Sequence, residues 1–461
     1  MVTNNLRFNK DVKFRRESFG GLVYNPTMGY TIEINQTAQL ILELYSINST
    51  LPEILNICAD YYKKDKADMR SDLIRLLRSF VKYEILIEGK TPKSADKLKV
   101  SDVLERSWPK QIVQNGLNSP EVIHLAITEE CPLNCPGCYV NAGNPLRNEL
   151  KTEEILKFID ILQTNNVFQL GLGGGEAMVH EDLLEIIKYA TKKEITVALT
   201  TSGVNLTYDM AKKLKNCGIK QIQISHDGYS KAVFEQSRSK GSFNIAKKAI
   251  KNLKRVGIDF GFNVLITPKV LKELSQLIAY AEMEGAIELI LLRPKPSGRA
   301  EELDWFNENK LTIPHQNYLK KLLRRVRTSL KIRTDTSFCL LYSDLNPEVL
   351  YQQGVFGCTG AKRFCSINSD GSMFPCSHFF HFPEFNGGSC LNLIDNWQNS
   401  KAFITFRNTL ENLEEPCGLC ENLKICKGCR KVALAESHEL NGLDPYCTKV
   451  QHYLSLKNTH S

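Results

Sequence analysis

Six short apolar runs rich in β-branched residues recur between residues 122 and 293: "VIHLAIT" (122–128), "VFQLGLG" (167–173), "ITVALTT" (195–201), "IKQIQIS" (219–225), "DFGFNVLIT" (259–267) and "AIELILLR" (286–293). Segments with helical spacing, such as "TEEILKFIDILQTN" and "DLLEIIKYATKK", separate them. Strands that are apolar at nearly every position belong to a sheet covered on both faces, and parallel neighbours need crossover helices. The pattern predicts an α/β fold whose centre is a partial (β/α)6 TIM-like barrel. A doubly wound sheet is the competing architecture. Either one collects functional side chains at the C-terminal ends of its strands.

The flanks have different rhythms. Residues 12–34 alternate apolar and polar, with Gly20–Gly21 and Asn25-Pro26 read as breaks, and predict two or three short strands. Three helical patterns follow, "TAQLILELY", "LPEILNICADYY" and "DMRSDLIRLLRSFVKYEIL". Residues 1–90 are therefore expected to form a small α+β domain, 91–118 a linker with one helix, and 119–330 the barrel. Residues 331–461, rich in Cys, Gly, Pro and Phe, are expected to be organised by bound metal rather than by a large core. No apolar stretch approaches the roughly 20 residues of a membrane span, and the N-terminus lacks the apolar core of a signal peptide. These features predict a cytoplasmic protein without a membrane partner. The net charge of +8 is modest, and no compact mixture of basic and aromatic residues predicts nucleic-acid binding. The densest basic run, "KKLLRRVRTSLKIR" from Lys320, reads as one solvated face of an amphipathic helix.

Fifteen cysteines in a reducing compartment point to metal or redox chemistry rather than to disulfides. Cys58 and Cys217 stand alone in helical patterns and read as core. Three more cluster at Cys131, Cys135 and Cys138, and ten lie between Cys339 and Cys447. The first cluster directly follows the first barrel strand. Three thiolates can hold three irons of a cubane and leave the fourth without a protein ligand. Zinc is the alternative, though structural zinc takes four ligands and catalytic zinc includes His or carboxylate.

Further polar groups fall at the same rim. "GLGGGEAM" ends the second strand with Gly173, Gly174, Gly175 and Glu176; glycines admit close approach of a ligand to the backbone, and an ionised Glu176 suits an ammonium. "TTSG" (200–203) and "SHDG" (225–228) end the third and fourth strands. Together they would serve a ligand bearing hydroxyls, an amine and a carboxylate.

Cys131-x3-Cys135-x2-Cys138-Tyr139, Gly174–Gly175–Glu176, Ser202, Ser225 and Arg238 together resemble the radical S-adenosylmethionine enzymes. The resemblance implies a 4Fe-4S cluster on the three cysteines and S-adenosyl-L-methionine bound by the other residues. The bound cofactor would supply a 5′-deoxyadenosyl radical, with electrons from a flavodoxin- or ferredoxin-type donor. Ala177 and Gly137 depart from the family pattern, where proline and an aromatic or His are commoner.

The C-terminal spacings, Cys358-x12-Gly371-x4-Cys376 and Cys417-x2-Cys420-x5-Cys426-x2-Cys429 with trailing Cys447, resemble the SPASM domain, which carries two auxiliary 4Fe-4S clusters. By that resemblance Cys417, Cys420, Cys426 and Cys447 hold one cluster. Cys358, Cys376 and Cys429 hold the other, with Cys365 as fourth ligand. Cys339 and Cys390 remain, either as a substitute for Cys365 or as ordinary small residues. His378 and His381, beside a ligand, are candidates for structure or proton transfer.

Residues 1–90, through "FRRESFGGLVYN" and the elements after it, resemble the winged-helix-like recognition element of enzymes that modify ribosomally made peptides. That implies a precursor peptide bound through its leader, as an added strand at a sheet edge. The expected activity is formation of a thioether or carbon–carbon crosslink within that peptide. The catalytic base is not identified by the sequence. Alternatives are a formylglycine-generating sulfatase maturase, a peptide epimerase, or an iron–sulfur electron carrier or zinc scaffold with no catalysis.

Overall fold

The computed structural model describes residues 6–89, 99–302, 304–342 and 344–459. Residues 91–98 of the expected linker and the side chain of Cys339 lie outside that description. Contacts divide the chain into two compact units, one within residues 1–114 and 352–354, the other within 115–351 and 355–461.

In the N-terminal unit, β1 (Leu6–Phe8) pairs antiparallel with the distant β5 (Leu86–Glu88). A second sheet joins β2 (Lys13–Glu17), β3 (Gly20–Asn25) and β4 (Tyr30–Asn35) in that order, all antiparallel. The paired glycines do not break the chain; they begin the central strand. A side chain at Gly20, whose φ is +146°, would sit 2.1 Å from the Ile34 carbonyl oxygen, and one at Gly21 would meet Gln39 at 1.8 Å. The sheet packs on α1 (Gln36–Ser46), followed by α2 (Leu51–Tyr62) and α3 (Lys66–Lys82). Thr50 and Glu53 form a reciprocal capping box at the start of α2, which satisfies two donors the first turn cannot pair. Val23, Leu40, Ile41, Leu44, Ile54, Leu73, Leu77 and Phe80 form the core. Helix α4 (Val100–Glu105) lies within the expected linker, and its Val103 joins the same core.

The larger unit is built on one nine-stranded sheet in the order β12-β11-β10-β9-β8-β7-β6-β13-β14. Its six central strands are the six apolar runs: β6 (Val122–Thr128), β7 (Gln169–Gly174), β8 (Thr196–Thr201), β9 (Gln221–Ser225), β10 (Asp259–Leu265) and β11 (Glu288–Leu292). All pair in parallel. Crossovers are supplied by α5 (Thr152–Thr164), α6 (Leu183–Lys192), α7 (Tyr208–Asn216), α8 (Lys231–Ser237), α9 (Ser242–Val256) and α10 (Pro268–Glu284). The expected α/β partial barrel is therefore present, but the sheet is larger than six strands.

Two additions come from segments that lack a long apolar run. After the short helices α11 (Arg299–Glu302) and α12 (Trp305–Asn309), the basic run splits. Its first half ends α13 (Ile313–Arg325), and its last residues form β12 (Lys331–Thr334), parallel to β11. On the other edge, β13 (Phe364–Ile367) pairs in parallel with β6 and turns back through β14 (Met373–Phe374). The cysteine-rich region is thus hydrogen-bonded into the barrel sheet, not appended to it. The buried Arg293 at the end of β11 reinforces this by gripping buried Asp444 with two bonds of 2.7 and 2.8 Å.

Candidate functional site

A cavity of about 490 Å³ opens at the C-terminal ends of the strands. It is lined by Cys131, Cys135, Cys138 and Tyr139 from the loop after β6, and by Gly173 to Glu176 from the end of β7. Ser202, Ser225, Asp227 and Arg238 complete the same wall.

Local hydrogen bonds explain how the loop is held. The Cys131 N–H donates to the Gly143 carbonyl at 2.8 Å, and the Cys138 N–H to that of Cys135 at 3.2 Å. The glycine run is joined to the same loop: Gly175 donates to Thr128 and Glu176 to Glu130, at 2.8 and 2.9 Å. A side chain at Gly174 or Gly175 would lie 2.3 or 2.4 Å from those carbonyl oxygens, so only glycine permits this approach. Arg299, which the sequence reading passed over, donates to the Cys135 carbonyl at 2.8 Å and to that of Ala142 at 2.5 Å. Ser297 Oγ donates to the Tyr139 carbonyl at 2.8 Å. The "PSGRA" turn after β11 therefore clamps the cysteine loop from outside. Its Pro, Gly and Arg were the available signal. The departure at Gly137 also has a cause: a side chain there would sit 3.1 Å from the Trp305 ring, which occupies the space.

Glu176 is buried and its carboxylate is engaged on both oxygens. Oε1 accepts from Thr201 Oγ1 at 2.7 Å and the Met178 N–H at 3.2 Å; Oε2 accepts from the Ser202 N–H at 2.8 Å and from the Ser202 hydroxyl. The residue stitches β7 to β8 and places a negative charge behind the glycines; it does not project a free carboxylate. Arg238 donates to Asp227 at 2.5 Å, and Asp227 also accepts from the Leu265 N–H at 2.7 Å. Burial lowers the Arg238 pKa, but Asp227 and then the cysteine loop outweigh that and raise it. The guanidinium stays charged at the cavity wall.

The second group, Cys358, Cys376 and Cys429, lines another part of the same cavity. Cys365 does not join it. Along β13 the side chains alternate, so Phe364 faces the cavity and Cys365 is fully buried on the opposite side, where its electrostatic neighbour is Cys390. Cys390 is likewise buried away from the cavity. The fourth-ligand expectation for Cys365, and the substitute role for Cys390, are corrected on this geometry.

The last group, Cys417, Cys420, Cys426 and Cys447, encloses a separate small cavity with Lys427, Asp444 and Lys449. The two C-terminal groups touch through the backbone, Cys358 donating to the Cys426 carbonyl at 3.1 Å. Asp444, also absent from the sequence reading, accepts from the Cys429 N–H at 3.0 Å while it holds Arg293. Burial pushes the thiols up, Cys131 and Cys417 to about 11 and Cys426 to about 12. Such thiols ionise only when a positively charged partner binds. Among the described residues, no His, Cys, Asp or Glu group forms a site for a single metal ion. Three or four thiols ranged around a cavity suit a polynuclear group better.

His378 faces the main cavity, its ring centroid 4.9 Å from that of Tyr139. Burial, then Lys295 and Lys431, lower its pKa. His381 instead bonds the Val140 carbonyl at 3.2 Å and helps to hold the cysteine loop. His124 on β6 lines the barrel interior and is neutral, burial lowering its pKa to about 4.

An α/β partial barrel with three cysteines, a glycine run and hydroxyls converging at its rim defines an enzyme of the cluster-dependent radical class. Comparison with known proteins agrees. Residues 125–281 match the radical SAM superfamily. Mycofactocin maturase MftC of Mycolicibacterium smegmatis is 30% identical over 346 residues, covering 73% of this chain and 84% of that protein. AdoMet-dependent heme synthase of Methanosarcina barkeri is 27% identical, covering 72% and 97%. The fold matches Streptococcus suis SuiB, solved bound to precursor peptide SuiA, with a TM-score of 0.70 at 17% identity over 96% of this chain and 100% of that one. The chain belongs to the radical SAM superfamily.

Proposed function

We propose that the protein modifies a ribosomally made precursor peptide, forming a thioether or carbon–carbon crosslink within it. Support comes foremost from the combination of a radical SAM barrel, whose rim gathers three cysteines, a glycine run and Arg238, with a separate N-terminal unit. The structural match to SuiB, solved bound to a precursor peptide, spans 96% of this chain and so takes in that unit.

Cys131, Cys135 and Cys138 would hold a 4Fe-4S cluster, and S-adenosyl-L-methionine bound there supplies a radical able to remove hydrogen from carbon. Tyr139, Gly174, Gly175, Glu176, Ser202, Ser225 and Arg238 would position that cofactor. The glycine cradle, the charge of Glu176 behind it and the guanidinium of Arg238 suit an amino acid's ammonium and carboxylate. Cys417, Cys420, Cys426 and Cys447 would hold one auxiliary cluster; Cys358, Cys376 and Cys429 would give three ligands to another. Residues 1–90 would bind the leader at a strand edge of the three-stranded sheet, raising the local concentration of the segment to be modified. A reducing, cytoplasmic setting would suit this chemistry, and among the described residues no helix is long and apolar enough to cross a membrane.

The test is anaerobic reconstitution, and co-expression with any short open reading frame found beside the gene. About twelve irons per chain, or slightly fewer, are expected from three cubane sites. Reduction should release 5′-deoxyadenosine, and the peptide should lose two hydrogens. Deleting residues 1–90 should weaken peptide binding and leave uncoupled cofactor cleavage intact. Zinc alone, with no cleavage after reduction, would refute the enzyme reading. A heme product with no peptide change would favour the second reading raised by the heme synthase relatives.

A further inference from the structure

Two cations, Arg430 and Lys431, directly follow Cys429 and open the helix Arg430–Ser437, whose first turn holds no acidic residue. Both are 1% exposed. A cation there meets the positive end of the helix dipole, and burial strips its water, so each needs an anion close by. Lys431 has one. Its Nζ donates to both Glu301 oxygens at 3.1 and 3.2 Å and lies 4.2 Å from the centre of the Phe382 ring. Arg430 is different. Its Nη1 donates to the Leu440 and Gly442 carbonyls at 3.0 and 2.9 Å, while Nε and Nη2 are buried with no hydrogen-bond partner. Among the described residues, no carboxylate pairs with its guanidinium.

This unanswered charge stands where the two C-terminal cysteine groups meet. Arg430 lines the main cavity with Cys358, Cys376 and Cys429, and Gly428 lines both that cavity and the small one enclosed by Cys417, Cys420, Cys426 and Cys447. Gly428 has a left-handed φ of +61°, and a side chain on it would lie 2.7 Å from Arg430 Nη2 and 3.0 Å from Asp444 Cβ. Its missing Cβ lets the guanidinium close on the wall between the groups. The Gly428 N–H donates to Cys426 Sγ at 3.4 Å. Asp444, against the same glycine, is already held by Arg293 and by the Cys429 N–H. The charge of Arg430 reaches one thiol of each group. Burial raises the Cys417 pKa to about 11, and Arg430 is the strongest influence opposing it; burial and then Cys429 raise that of Cys358, again against Arg430.

We propose that Arg430 is the shared charge partner of two auxiliary clusters, one on each side of it, and holds both at a higher reduction potential than their ligands alone would set. The inference rests on the auxiliary-cluster reading of the two C-terminal cysteine groups. A cluster held by thiolates is net negative and gains a further negative charge on reduction, and net charge is one of the quantities that set its potential. A fixed cation beside it therefore favours the reduced form, and more strongly in a low-dielectric interior than in water. The charge acts through space, so no hydrogen bond to a sulfur is needed. A carboxylate of a bound peptide is disfavoured as the missing anion, because Nε and Nη2 are closed to solvent on the cavity side.

The experiment is a redox titration, followed by electron paramagnetic resonance, of the reconstituted full-length chain carrying Cys135→Ala, so that the signals left are those of the auxiliary clusters. Adding R430Q should lower the equilibrium constant for reduction of each cluster about tenfold, a fall of about 59 mV for one electron. R430K, which keeps the charge, should restore most of that fall. Unchanged potentials in R430Q overturn the proposal, and a fall in one cluster alone overturns the shared role. If R430Q loses iron, R430K decides: wild-type iron content and potentials with lysine uphold the charge, whereas equal iron loss with lysine makes Arg430 a structural clamp on Leu440 and Gly442 and overturns the proposal. Absence of any cluster signal from the Cys135→Ala chain with Arg430 intact would instead sink the auxiliary-cluster reading.

Discussion

The cysteines at the barrel rim and those nearest the C-terminus are the same side chain in different surroundings. Cys131, Cys135 and Cys138 open onto a cavity of about 490 Å³ shared with a glycine run, two serines and an arginine. Cys417, Cys420, Cys426 and Cys447 surround a void of about 30 Å³ whose other polar side chains are Asn422, Lys427, Asp444 and Lys449. The first arrangement has three thiols and room for a ligand. The second has four thiols and no such room. Thiol number and adjoining space differ between these two groups, while Cys358, Cys376 and Cys429 share the larger cavity with the first.

The sharpest break in this comparison is Cys135→Ala. It should abolish reductant-dependent 5′-deoxyadenosine and remove about four irons, the content of one cubane. Cys426→Ala should lose a similar amount of iron yet keep cofactor cleavage while peptide product disappears; iron assay and mass spectrometry separate the two variants. Asp444→Asn should come next. It removes the carboxylate that grips the buried Arg293 guanidinium, a loss of about 3–5 kcal/mol for a buried pair, read as a lowered denaturation midpoint. Arg299→Ala should act on the open site alone. Losing two charge-assisted bonds to the cysteine loop, about 1.5–3 kcal/mol each, should weaken S-adenosylmethionine binding tenfold or more and leave the C-terminal iron in place. Cys365→Ala should have the smallest effect, with iron content and cleavage unchanged, because its thiol sits beside Cys390 on the far side of β13.

Much of the open site is legible in the sequence because each part is local. Cys131 to Tyr139, the Gly173–Glu176 run, Ser202 and Ser225 all stand directly after strands marked by apolar runs. The less local parts are not legible. Arg299 meets the Cys135 carbonyl across 164 positions, and Asp444 meets Arg293 across 151. Neither has a spacing that a single sequence displays. Cys365 was misplaced for the reverse reason: its position along the chain suits a ligand, but strand alternation turns it away. β12 and β13 escaped because four-residue strands carry too little periodicity.

The proposal that a cluster held by Cys131, Cys135 and Cys138 binds S-adenosylmethionine is tested most directly by electron paramagnetic resonance. The subject should be a variant lacking Cys358, Cys376, Cys417, Cys420 and Cys426, reduced with dithionite. Its remaining cluster signal should shift when S-adenosylmethionine is added, and the shift should vanish with Cys135→Ala. A signal indifferent to S-adenosylmethionine, in a variant that retains about four irons, would contradict it.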